Sequence, residues 1–182
     1  SDADRLELGV RRLDTLPEPL ATRELTSCCA STAWVGAMLG QRPFGTVAQL
    51  RAAADAAWAA TGESDWREAF RAHPRIGERE AATEQTATAR VWSEREQRGM
   101  DQASDAVRAE LARLNRAYED KFGWIYLVCA SGKTAEELLA TLEQRLGATA
   151  EAELRTAAAE QHAITHLRIT RLLEQPGDAQ VR

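Results

Sequence analysis

Apolar residues recur at intervals of three and four along most of the chain, the spacing of one face of an α-helix. One such stripe comprises Val107, Leu111, Leu114 and Tyr118. Another follows a capping box, in which Thr134 precedes Glu137 by three residues, and Gly147 is expected to end that helix. The last predicted helix runs from about Ala150 to Glu174.

Earlier helices are predicted from their capping residues. Thr46 is expected to begin a helix that stops at Gly62, and Ser64 a short helix that ends at His73, because a residue before proline disfavours helical geometry. A further helix is predicted over roughly Glu84 to Gly99. The apolar stretch Phe122–Ala130 has no helical period, and it is expected to be a buried extended segment or a buried helical turn.

These elements predict an all-α, single-domain bundle of about seven to nine helices. The domain is expected to span residues 1–182, with a short polar tail from about residue 175. Strong helix formers dominate the composition, which supports the same fold class.

Charge and hydropathy exclude some classes of partner. The chain has 23 Lys and Arg against 28 Asp and Glu, a net charge of −5, and no dense basic run, so we expect no nucleic-acid partner. No apolar run reaches the roughly 18 residues of a membrane span. The N-terminal residues lack the pattern of a secretory signal, and a cytoplasmic location is expected.

His73 is the first candidate for chemistry, because it lies directly before Pro74 and close to Gly77. A rigid loop would fix an imidazole in the way that a general acid or base requires. The alternative is a surface histidine that interacts with the negative end of a helix dipole.

Two helical segments carry further candidates. Ser93, Glu96 and Gln97 share one helix face, although a solvated charged helix would show the same pattern. Arg168 interrupts an apolar stripe on the last helix. It is either buried with a partner, such as Glu96 or a ligand with anionic or carbonyl groups, or a snorkelling arginine at the surface.

The histidine and cysteine patterns predict neither a metal site nor a thiol nucleophile. His162 and His166 could hold a metal with Glu96 or Glu160, but their spacing is common and lacks the H-E-x-x-H motif. The three cysteines include no C-x-x-C pair and are expected to be reduced. Cys129 lies in an apolar run that disfavours a thiolate.

Five segments in this order resemble a known family, the decarboxylases of 2-oxo-4-hydroxy-4-carboxy-5-ureidoimidazoline (OHCU) in urate breakdown. The segments are CCASTAWVGAML with RPF (Cys28–Leu39 and Arg42–Phe44), HPRIG (His73–Gly77), SEREQ (Ser93–Gln97), LNRAYEDKFGWIYLVCASG (Leu114–Gly132) and ITHLRITRLL (Ile164–Leu173). The chain departs from many members at Arg75 and Ile76, where they carry Asp and Leu.

The resemblance implies a cofactor-free, all-helical enzyme, commonly a homodimer, that converts the small molecule OHCU into (S)-allantoin and CO2. It implies catalytic roles for His73, Glu96 and Arg168. The implied substrate-binding positions are Pro74, Ser93, Glu94, Arg95, Glu96, Gln97, Tyr126, Leu127, Val128, Cys129 and Ala130. Whether Glu96 orients His73 or binds the substrate is left open.

The competing interpretation is a non-catalytic helical binding or scaffold module. Such a module would account for the helices and the charged surface. It would not account for an arginine within an apolar stripe or for a His-Pro loop with carboxylates nearby.

Overall fold

The structure is a computed structural model that describes residues 1–78 and 85–175. Within these residues it contains nine α-helices, one 3-10 helix and no strand, which confirms the all-α prediction. The α-helices are α1 (Asp2–Thr15), α2 (Glu18–Cys28), α3 (Thr32–Gly40), α4 (Val47–Ala59), α5 (Glu63–Phe70), α6 (Ala87–Glu96), α7 (Asp105–Phe122), α8 (Ala135–Arg145) and α9 (Ala150–Glu174), and the 3-10 helix is Arg98–Gln102. No helix in these ranges is long and apolar enough to cross a membrane.

The chain divides into two compact units. One unit comprises Ser1–Trp66 together with the residues from Ile164 onwards, and the other comprises Arg67–Ala163. We call them the terminal unit and the central unit.

In the terminal unit, α1 packs against α4, and α3 packs against both α2 and α4. Arg42 closes the end of α1, since its Nη1 donates to the carbonyl oxygens of Leu13 at 3.0 Å and Leu16 at 2.7 Å. Asp14 accepts hydrogen bonds from the backbone N–H groups of Phe44 at 2.8 Å and Gly45 at 3.0 Å. The RPF segment therefore fastens the α3–α4 connection to α1, and a cation lies where the helix dipole is negative.

In the central unit, α7 packs against α8. Gly123 ends α7 in the left-handed conformation, with φ of 86°, and directs the chain into the segment that follows. That segment is mostly buried and irregular, which confirms the predicted buried stretch except at Phe122, the last residue of α7. Gly99 approaches the next loop so closely that a Cβ there would lie 1.9 Å from the carbonyl oxygen of Lys133.

Several predicted helix ends are wrong. Helix α5 begins at Glu63, before Ser64, and Asp65 accepts the Gly62 N–H at 3.1 Å. It ends at Phe70, three residues before His73. The predicted end of α8 at Gly147 is confirmed, since α8 ends at Arg145 with Leu146 as its C-cap. Gly147 has no positive φ, and Lys121 donates to the carbonyl of Leu146 at 2.6 Å.

The capping predictions at Thr46 and Thr134 are confirmed. Helix α6 is shorter than predicted, because Thr86 caps it and the chain turns into the 3-10 helix after Gln97. Its predicted start at Glu84 lies outside the described residues.

Candidate active site

His73 is a buried side chain on the loop after α5, with 8% of its surface exposed. Its Nε2 lies 2.7 Å from Oε1 of Gln161, which is fully buried on α9. A side-chain amide oxygen only accepts hydrogen bonds, so Nε2 carries the proton and Nδ1 carries the lone pair in the neutral ring. Because the side chain is buried, the alternative of a surface histidine is wrong.

The loop after His73 is held at several points. Asn115 on α7 donates to the carbonyl of Ile76 at 3.1 Å, and Gly77, with φ of 87°, donates its N–H to Oε1 of Gln97 at 2.9 Å. Arg75 forms hydrogen bonds with Glu119 at 2.9 and 3.0 Å, and they raise its pKa. Arg75 therefore holds the loop from its exposed side.

Helix α6 separates the SEREQ residues by exposure. Ser93 and Glu96 are buried, at 4% and 6% exposure, and Gln97 is half-buried. Ser93 Oγ accepts a hydrogen bond from Gln85 at 2.6 Å. Glu94 and Arg95 are exposed, and Glu94 pairs with Arg90 at 3.7 Å. The predicted shared face of Ser93, Glu96 and Gln97 is the inner face of the helix.

A cavity of about 590 Å³ lies beside this helix within the central unit. Its lining includes five of the predicted substrate-binding residues: Pro74, Ser93, Glu94, Arg95 and Gln97. Its lining also includes the cations Arg90, Arg98 and Arg108. The cavity is large enough for a small heterocycle and offers it both charged and amide groups.

The segment Tyr126–Ala130 is fixed by buried polar contacts. Arg145 donates through Nη1 to the carbonyl of Leu127 at 2.6 Å and through Nε to Glu153 at 2.6 Å. Glu153 also accepts the hydroxyl of Tyr118 at 2.5 Å, and Tyr126 donates its hydroxyl to the carbonyl of Leu138 at 2.9 Å. The buried carbonyl of Leu127 is thereby satisfied by the side chain of Arg145.

Cys129 has a half-buried thiol whose pKa is raised, first by burial and then by the charges of Glu160 and Glu96. The thiol therefore stays protonated, as its apolar surroundings predicted.

A second cavity in the central unit, of about 280 Å³, has Trp124 and Ile125 in its wall together with Arg67 and Glu119. The guanidinium of Arg67 lies 5.0 Å from the centre of the Trp124 ring, and Trp124 Nε1 donates to the hydroxyl of Tyr118 at 3.0 Å.

Arg168 belongs to the terminal unit and is buried, at 3% exposure. Its Nη1 donates to the carbonyl of Ser27 at 3.1 Å. Burial raises the pKa of the neighbouring Cys28 thiol, and the charge of Arg168 opposes that rise. The alternative of a snorkelling arginine is therefore wrong, and the guanidinium is held at the end of α2.

His166, in the same unit, lies between two charged groups. Its Nδ1 is 2.9 Å from Nη1 of Arg51, and its Nε2 is 2.6 Å from Oδ1 of Asp55. Because a guanidinium only donates, Nδ1 accepts and Nε2 carries the proton.

Sequence reasoning gave no role to Gln161 and missed the Arg145–Glu153 pair. Gln161 falls on the apolar stripe of the last helix that Arg168 interrupts, and Arg145 and Glu153 occupy ordinary positions near helix ends. Their partners are distant in sequence, so no local spacing identifies them.

Three comparisons relate the chain to known proteins. The family model for OHCU decarboxylase matches residues 14–170. The chain is 34% identical over 145 residues to the uric acid degradation bifunctional protein TTL of Arabidopsis thaliana, covering 80% of this chain and 45% of that protein. It is 32% identical over 137 residues to the 2-oxo-4-hydroxy-4-carboxy-5-ureidoimidazoline decarboxylase of Mus musculus, covering 75% of this chain and 76% of that protein.

A crystal structure of OHCU decarboxylase in the presence of (S)-allantoin has a TM-score of 0.72 and 34% sequence identity, covering 84% of this chain and 99% of that chain. The family model extends from α1 into α9, across four of the five segments that carry the resemblance and most of the fifth. By sequence and by fold, the chain belongs to the OHCU decarboxylase family.

Proposed function

We propose that this protein decarboxylates OHCU to (S)-allantoin and CO2 in urate degradation. The observation that carries the proposal is the buried imidazole of His73, held by Gln161 in a chain that belongs to this family. A relative that aligns over 99% of its length was crystallised with (S)-allantoin.

The substrate itself can accept the electron pair that CO2 leaves behind. The bond between C4 and the carboxylate breaks, a C4=C5 double bond forms, and the C5=N pair moves to nitrogen, which takes up a proton. The C4 hydroxyl then loses its proton to become a carbonyl, while C5 gains one. This route requires no organic cofactor and no metal, so the protein supplies binding, orientation and proton transfer.

His73 is proposed to move the proton between the hydroxyl and C5. A neutral imidazole accepts and donates protons near neutral pH, and its fixed loop presents it from one side. Delivery to one face of C5 gives one enantiomer, whereas protonation in free water gives both.

Glu96 and Arg168 are proposed to bind the substrate. We assign Glu96 to the ureido N–H groups of the substrate, because its carboxylate accepts hydrogen bonds. Arg168 is assigned to a ring oxygen or nitrogen on which negative charge accumulates. A contact with the departing carboxylate would weaken as CO2 forms and would not lower the barrier.

The proposed binding positions are Pro74, Ser93 to Gln97, and the backbone from Tyr126 to Ala130. In their support, Pro74, Ser93 and Gln97 share one cavity, and the Arg145 network fixes the backbone segment. Residues 1–182 are proposed to act as one OHCU decarboxylase domain. A homodimer and a cytoplasmic location are expectations carried over from the sequence.

The direct test supplies freshly made OHCU, formed from urate by urate oxidase and hydroxyisourate hydrolase, and follows its ultraviolet absorbance with and without this protein. The expected result is faster loss of OHCU and a single enantiomer of allantoin by circular dichroism. If OHCU decays at the spontaneous rate and gives both enantiomers, the chain is a helical binding module instead.

A further inference from the structure

Gln161 is a buried polar residue that enters the proposed mechanism only as a hydrogen-bond partner of His73. It is fully buried on α9, and its Oε1 lies 2.7 Å from Nε2 of His73, which is itself 8% exposed. Both residues belong to the central unit. A short hydrogen bond between two buried groups fixes both the ring orientation and the ring nitrogen that carries the proton.

We propose that Gln161 is the positioning residue of His73, and that it makes Nδ1 the nitrogen that exchanges protons with the substrate. The proton exchange at Nδ1 rests on the proposed function, whereas the orientation of the His73 ring by Gln161 does not. If the acceptor on α9 is lost, the hydrogen bond that orients the ring and holds its proton on Nε2 is lost with it. The ring then rotates, or its proton moves to Nδ1, and in either case the reactive lone pair is misplaced.

A neutral amide suits this task better than a carboxylate would. A carboxylate beside Nε2 would favour the charged imidazolium, which cannot accept a proton. The amide carbonyl accepts the same hydrogen bond without adding a negative charge. Gln161 therefore orients the ring while leaving it free to accept and release a proton.

The tautomer can be measured without any substrate. The method is nitrogen-15 NMR of the imidazole rings at a pH of about 8, where imidazole is ordinarily neutral. The chain has only three histidines, so the spectrum contains few signals. A His73→Asn variant assigns the signal of His73. His166, whose Nε2 faces Asp55 and whose Nδ1 faces Arg51, provides an internal standard for the Nε2–H form.

The expected result is an Nε2–H tautomer at His73 in the wild-type protein. In Gln161→Met, which keeps the length of the side chain but has no strong acceptor, the His73 spectrum should change to the other tautomer or to a mixture. In Gln161→Glu, which keeps the acceptor, the proton should stay on Nε2. An Nδ1–H tautomer at His73 in the wild-type protein overturns the proposal, whether or not any variant folds.

Kinetics provide the second measurement. Gln161→Met should lower kcat by about tenfold to a hundredfold with little change in KM, because Gln161 acts through His73. Gln161→Glu should retain more activity than Gln161→Met. Gln144→Met, an exposed glutamine on α8, is the matched control and should behave as wild type.

The two proposals fail in different ways. If the wild-type protein does not turn over OHCU, the proposed function fails while the tautomer result stands. If the wild-type protein is active and a folded Gln161→Met keeps both its kcat and the Nε2–H signal, Gln161 is only a packing residue and the positioning role is overturned.

Discussion

Arg145 donates a hydrogen bond through Nη1 to the backbone carbonyl of Leu127, at 2.6 Å. The same guanidinium pairs with Glu153, which is 1% exposed, and lies 5.0 Å from the centre of the Tyr126 ring. Burial acts to lower the pKa of Arg145, but the hydrogen bond with Glu153 and nearby charges raise it overall. Arg145 therefore stays charged and connects the end of α8 to the segment Tyr126–Ala130.

Removing this cation should destabilise the protein strongly. Arg145→Met leaves the Glu153 carboxylate buried without its cation, and such losses cost about 3–5 kcal/mol of unfolding free energy. Chemical denaturation monitored by circular dichroism measures the loss.

The matched control for Arg145 is Arg155→Met, which breaks an exposed ion pair with Glu151. It should change the unfolding free energy very little, because exposed pairs are well solvated. Equal effects of the two substitutions would contradict the structural role given to Arg145.

Both tyrosines of the chain should resist ionisation. Burial is the main cause that raises the pKa of Tyr118 and Tyr126 above the ordinary value of 10.0, and the bond to Glu153 adds to it at Tyr118. The folded state thus keeps protons that the unfolded state loses above that pH, so the unfolding free energy falls as pH rises. A spectrophotometric titration should show tyrosinate only together with unfolding. Ionisation near the ordinary value in a folded protein would show that the rings are solvated.

His73→Asn should abolish most decarboxylation while the helical fold persists. Loss of a positioned acid–base group lowers kcat by about 10²–10⁴-fold. The measurement is the initial rate of OHCU loss, with circular dichroism as the check on folding. His162→Asn, another histidine of the central unit, is the control. Near-normal turnover by folded His73→Asn would remove His73 from the mechanism.

Arg168→Lys should lower kcat as well as affinity. Lysine keeps the charge but lacks the planar fork that binds two acceptors, and the contact is proposed to strengthen towards the transition state. Arg168→Ala should be worse, and Arg171→Lys on the same helix is the control. A raised KM with unchanged kcat would instead indicate that Arg168 binds substrate and transition state equally.

Activity should survive exhaustive dialysis against a strong chelator. The reason is chemical, since the C=N bond of the substrate accepts the electron pair that a Lewis acid would otherwise stabilise. The measurement is the rate of OHCU loss before and after dialysis, and the two rates should be equal. A loss of activity that zinc or manganese restores would require a metal in the mechanism.

The spacing of apolar and capping residues predicted the helices, because helix formation depends on interactions between residues close in sequence. The 3.6-residue period and the capping residues Thr46 and Thr134 indicated helices, because these signals act within one turn. The same reasoning failed at Ser64. There, Asp65 accepts the hydrogen bond of the Gly62 N–H at the start of the helix, and nothing in the local composition favours Asp65 over Ser64.

In the candidate site, too, local features were predictable from the sequence and long-range contacts were not. The inner face of Ser93, Glu96 and Gln97 follows from helix geometry and was predictable. The contact between His73 and Gln161 joins positions 88 residues apart, and the contact between Arg145 and Leu127 depends on where an irregular segment passes. Such contacts follow from tertiary packing, which a single sequence does not specify.

The close approach of Gly99 to the carbonyl of Lys133 limits how this protein can change its specificity. Gly99 follows the SEREQ segment by two residues, and Lys133 follows Ala130 by three, so two proposed walls of the substrate site meet backbone to backbone. Any side chain at Gly99 would force these walls apart together. A lineage of such enzymes can therefore reshape the site by exchanging the side chains that point into it, but not by placing a side chain at Gly99 itself.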